Sequence, residues 1–161
     1  MTTTTPASTG DRIEEQVLLN APRARVWRAL TDAGELGAWF GMNLAGATIA
    51  PGARLAGNFT IPGHEHSVFE ATIEEMVPES RFAWRWQPNA AVPGVDNTAE
   101  PLTLVTFTLE DAPDGGTLLR VVESGFDALS PARRAPALQG NTRGWATQLH
   151  KRLTAYLASA S

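Results

Sequence analysis

Glu123 closes an apolar segment, TLLRVVES, directly behind Val121 and Val122. Facing inward, it would be a desolvated carboxyl with a raised pKa, suited to general acid/base work or to anchoring the polar end of a ligand. Facing outward, it would be an ordinary solvated or salt-bridged residue. Strand parity alone does not choose, and the outward face is the preferred reading. Arg85, between Trp84 and Trp86, carries the same ambiguity. His64-Glu65-His66, with Glu70 nearby, places two imidazoles at i, i+2 on one side of an extended chain. Zinc takes three or four protein ligands with supporting bonds behind them, and no such set stands out, so no metal is expected. These histidines read as solvated at a hairpin mouth; over a cavity entrance they would meet a ligand or make binding pH-sensitive. Asp96 and Glu100 form no carboxylate pair, and their loop, Asn89–Pro101, is either a lid or a plain connector. Ser124 and Ser130 lack a nucleophile-elbow context, and no Ser–His–acid set can be named.

Composition narrows the classes further. A chain of 161 residues that is 43% hydrophobic can build a single core without metals or disulfides. Cysteine is absent, which removes thiol nucleophiles and cysteine-held clusters. The formal charge of −4, with basic residues scattered as arginines and a single lysine at Lys151, leaves no nucleic-acid footprint. No apolar run approaches the ~18 residues that would cross a bilayer, and MTTTTPASTGD lacks the apolar core of a secretory signal. The expectation is a cytoplasmic protein with no cofactor and no membrane or nucleic-acid partner. Residues 1–11 are expected to form a flexible tail and residues 12–158 one domain.

Ile13–Asn20 alternates as a half-buried strand. Pro22 suits a first helical position, with Val26, Trp27 and Leu30 as the buried stripe, and Asp32 can cap a second short helix carrying Leu36, Trp39 and Phe40. Ala53–Ile61, Val68–Val77, Arg81–Gln87, Leu102–Glu110 and Thr117–Ser124 read as strands between Pro- and Gly-marked turns, with a weaker strand at Ala47–Ile49. Gly140–Leu157 reads as a long amphipathic helix with Trp145, Leu149, Leu153 and Leu157 on one stripe. Pro136 should keep a helix from forming before about Ala137. The class is α+β: an antiparallel sheet covering a terminal helix.

The pieces APRARVWRALTD (Ala21–Asp32), Trp39-Phe40, FAWRW (Phe82–Trp86), LVTFTLE (Leu104–Glu110), GGTLLRVVESGF (Gly115–Phe126) and GWATQL (Gly144–Leu149) follow one another as they do in the SRPBCC superfamily. The chain resembles that START-like, birch-pollen-allergen-like group, and within it the Aha-type branch named for an activator of a heat-shock chaperone ATPase. The resemblance implies a helix-grip fold, a curved antiparallel sheet wrapped around a C-terminal helix with an internal cavity between them. Members use such a cavity for lipids, hormones, polyketides and other hydrophobic molecules, and a minority do chemistry in it. The founding activator has a separate chaperone-binding domain, so its activity is not carried over. Relatives labelled as vanillate-demethylation components imply redox groups, yet this chain has neither cysteine nor a G-x-G-x-x-G fingerprint.

The leading expectation is therefore a small-molecule-binding protein for a hydrophobic or aromatic ligand. Its lining would be Trp39, Phe40, Phe59, Phe69, Trp84, Trp86, Phe107, Phe126, Trp145 and Leu149, with Glu123 as the polar anchor. The alternatives are a cyclase- or hydrolase-type enzyme using Glu123 or a histidine as acid/base, and a protein-interaction module acting on a chaperone or regulator. Self-association as a homodimer stays open.

Overall fold

The computed structural model describes residues 12–87 and 101–159. Strand β1, Arg12–Leu19, turns Ile13, Val17 and Leu19 inward, as its alternation requires. Helix α1, Arg23–Thr31, buries Val26, Ala29 and Leu30. Pro22 is its N-cap rather than its first helical residue, and the Pro22 carbonyl accepts from the amides of Arg25 and Val26 at 2.9 and 3.1 Å. Helix α2, Ala33–Phe40, is capped as expected: the Asp32 carboxylate accepts from the Glu35 amide at 3.0 Å. It ends at Gly41, whose φ of 99° is left-handed and whose missing Cβ would lie 2.7 Å from Ile61 Cγ1.

The strand expected at Ala47–Ile49 does not form. Asn43 Oδ1 accepts from the Ala45 amide at 3.0 Å and the Ala47 amide donates to the Leu44 carbonyl at 3.0 Å, so the preceding backbone is spent on local turns. The other strands are β2, Arg54–Asn58; β3, Val68–Val77; β4, Arg81–Trp86; β5, Thr103–Asp111; and β6, Thr117–Ser124. They form one antiparallel sheet in the order β1-β6-β5-β4-β3-β2, with a bulge in β3 between Ile73 and Glu75. The register aligns Ile13, Glu123, Val105, Trp84 and Ile73 across five strands, all on the covered face.

Helix α3, Pro131–Thr147, passes without a break into a π-helical stretch, Gln148–Leu153, and then α4, Thr154–Ser159. Pro136 thus lies inside α3, contrary to the expected start near Ala137. Pro136 and Ala132, the residue whose carbonyl loses a donor, are both exposed, so water can serve that carbonyl. The Arg134 guanidinium donates to the carbonyls of Phe126, Asp127 and Leu129 at 3.0–3.3 Å and pins the first turn to the loop before it. The terminal helix packs on β1 and on α2. A second tie lies at its far end, where the Tyr156 hydroxyl donates to Glu35 at 2.9 Å and Glu35 pairs with Arg25 and Arg28 at 2.7 and 2.8 Å. The result is a curved six-stranded sheet gripping a terminal helix, the α+β arrangement expected.

Candidate functional site

Phe82, Trp84 and Trp86 share the inward parity of β4, and the terminal helix lays Trp145 against the last two. Phe40, the last residue of α2, fits among them: its ring lies 5.4–6.1 Å from those of Trp39, Phe69, Trp84, Trp86 and Trp145, each at a steep angle. Phe107 closes the group from β5, 5.1 Å from Trp84 and 5.7 Å from Trp145. These edge-to-face arrangements are the ones aromatic quadrupoles favour. Phe59, half-buried, touches Phe69 at the margin, while Phe126, in the turn after β6, and Leu149, on the π stretch, are fully buried in the same core. Every aromatic residue expected on the lining therefore belongs to this interior or packs against it, and most of the rings touch one another.

Glu123 is inward and fully buried, which overturns the preferred outward reading. Its neighbours across the register are Ile13 and Val105, both buried apolar residues that offer the carboxyl no polar partner. Four neutral donors converge on it instead. Oε2 accepts from Trp86 Nε1 at 2.9 Å, from the Thr103 hydroxyl at 2.6 Å and from Asn141 Nδ2 at 3.1 Å; Oε1 accepts from Trp145 Nε1 at 2.8 Å and from Asn141 Nδ2 at 3.0 Å. Burial pushes the Glu123 carboxyl above the usual carboxylate range, and the hydrogen bonds from the four donors oppose that rise without cancelling it. The other ambiguous residue, Arg85, points outward and pairs with Glu74 at 3.2 Å.

Thr103 and Asn141 were not singled out in the sequence. Asn141 had a signal: it lies four residues before Trp145, which extends the helical stripe by one polar position. Thr103 becomes recognisable only once β5 is paired with β4, where it faces Trp86.

His64 and His66 lie exposed in the turn before β3, where the Glu65 carboxylate accepts from the Gly63 amide at 2.9 Å. No group of three or more potential metal ligands occurs among the described residues. Asp96, Glu100 and most of the lid-or-connector loop Asn89–Pro101 lie outside the described residues, as does the expected tail, residues 1–11. No helix among the described residues is long and apolar enough to cross a membrane.

Solved structures share this architecture. DynU16, a protein of the dynemicin biosynthetic locus, is 24% identical with a TM-score of 0.69; the match covers 94% of this chain but only 48% of DynU16, so the chain spans about half of that longer protein. MLL2253 from Mesorhizobium loti is 23% identical with a TM-score of 0.70, covering 93% of this chain and 98% of its own. Ms6760 from Mycobacterium smegmatis is 18% identical with a TM-score of 0.72, covering 94% of both chains. At these identities the likeness concerns the fold. Among curated proteins none matches. Residues 20–158 match the model of the family described as activator of Hsp90 ATPase homolog 1-like protein, and a match over most of the chain makes this protein a member of that family.

Proposed function

We propose that this chain is a small-molecule-binding domain whose ligand is taken up among the aromatic rings between β4 and the terminal helix. The observation that carries this reading is Glu123, a fully buried carboxyl ringed by two indoles, a hydroxyl and an amide. A desolvated carboxyl is expensive in a core that needs only to be stable, where apolar residues in place of the carboxyl and its donors together would serve as well. Its placement in an aromatic-lined interior fits a polar anchor at the end of an apolar pocket. Trp86 and Asn141 are only partly buried, which makes their side of the cage the natural entrance. Because the rings already touch, entry requires Trp86 and Phe40 to yield.

That same close packing favours one rival, an interaction module whose interior is only a core. A panel of flat aromatic and aliphatic compounds of drug-like size, followed by tryptophan fluorescence and thermal shift, separates the two. Micromolar binding, about −8 kcal/mol, with a change in tryptophan emission is expected. A panel that moves neither signal removes the binding reading and leaves the interaction module.

A further inference from the structure

Three indole N–H groups belong to the inward cluster of β4 and the terminal helix. Trp86 and Trp145 direct theirs to Glu123. Trp84, fully buried at the centre of the sheet, has an Nε1 with no acceptor among the described residues. An indole N–H is a donor only, and buried donors are nearly always paired, so an unpaired one calls for a reason. A second orphan sits against Phe40, a ring neighbour of Trp84. Gln148 donates from Nε2 to the Phe40 carbonyl at 2.9 Å and leaves its buried Oε1 without a donor among the described residues, while the Phe40 ring lies 6.0 Å from that of Trp84. Phe40 thus neighbours two residues with unmet hydrogen-bonding capacity of opposite kind.

Glu123 sets the charge preference. Its oxygens already receive five hydrogen bonds, leaving little acceptor capacity for a ligand, and each of its four partners among the described residues is neutral. A carboxylate entering this interior would be desolvated with no cation among those partners to offset its charge, and the donors it would need are already spent on Glu123. Resting on the binding reading above, we infer that the interior takes a neutral, largely apolar molecule that presents one carbonyl or hydroxyl oxygen to the Trp84 indole N–H, and that it disfavours carboxylates.

Fluorenone, fluorene and a fluorene carboxylate share one skeleton and differ in this feature, so their affinities measured by calorimetry at neutral pH test the inference. Fluorenone is expected to bind roughly tenfold tighter than fluorene, the worth of one buried hydrogen bond, and tighter than the carboxylate by at least about as much. In a proton–nitrogen correlation spectrum the Trp84 indole proton should lie downfield with fluorenone bound relative to fluorene bound, the shared ring system giving both the same ring-current effect. Trp84→Phe should bring fluorenone down to the fluorene level; if that variant does not fold, the wild-type indole resonance decides alone. Equal affinity for fluorenone and fluorene with the Trp84 proton at the same position in both complexes, the result that a bound water at Nε1 would give, overturns the inference and leaves the binding reading standing. Tightest binding of the carboxylate also overturns it. If none of the three binds while other members of the wider panel do, this ligand class is wrong; if nothing in either set binds, the binding reading falls with it.

Discussion

At Glu123 the cost of desolvation and the gain from four hydrogen-bond donors oppose each other, and both become visible when the side chain is changed. Glu123→Leu removes the desolvated group but strands the N–H and O–H groups of Trp86, Thr103, Asn141 and Trp145, so we expect a net loss of about 3 kcal/mol in urea denaturation. The sign of the pH dependence follows from the raised pKa. Folded Glu123 holds its proton more tightly than the unfolded chain does, so its contribution to stability is fully present below the unfolded pKa and is lost as pH rises through the folded one. Glu123→Gln should flatten that part of the stability profile, as read from melting temperature against pH. The residue was recognisable in the sequence, but its face was not. On β6 both parities are apolar, with Leu119 and Val121 on one side and Leu118 and Val122 on the other, so alternation has nothing to report. The face is decided by Thr103, Trp86 and Asn141, residues 18 to 37 positions away that meet Glu123 only in the folded sheet.

Most elements were legible because their periods are clean; the exceptions are local chemistry winning over pattern. Pro136 stands as a barrier in the sequence, yet α3 runs through it on an exposed face where water can cover the lost bond. Restoring the donor with Pro136→Ala should raise stability by about 1 kcal/mol, part of the helical gain being returned through the freer unfolded chain. Thermal melts would register it, and an unchanged or lower melting temperature would mean that the Ala132 carbonyl was never short of a partner. The π stretch had a signature that a search for helical period passes over. Trp145, Leu149, Leu153 and Leu157 repeat every fourth residue, and all are buried. At 3.6 residues per turn such a stripe drifts about 40° per step, roughly 120° over its length, and would leave the sheet. The wider π turn takes up the excess and keeps the stripe on one face.

Across the whole molecule, the Glu35 cluster joins the two short helices to the end of the chain. Burial pushes the Glu35 carboxyl upward, but the Tyr156 hydroxyl and the guanidinium groups of Arg25 and Arg28 more than reverse this, and its pKa is lowered. A lowered carboxylate pKa stabilises above the unfolded value and ceases to do so as pH falls through the folded one, the opposite sign to Glu123. Acid should therefore release α4 from α1 and α2 while the sheet and the Glu123 cage persist. Hydrogen exchange at falling pH should show Thr154–Ser159 losing protection first, and Glu35→Gln, costing about 1–2 kcal/mol near neutrality, should remove that acid step. The position of β1 in the sheet carries a consequence for synthesis. It leaves the ribosome before every other described element, yet its strand partner is β6, which starts at Thr117, and the helix that covers both follows later still. Until β6 and the covering helix have been made, β1 has no native strand edge and its apolar side chains no native cover. The domain cannot fold progressively from its first residues, and a stalled nascent chain would offer chaperones and proteases an unpaired strand that the finished protein never shows.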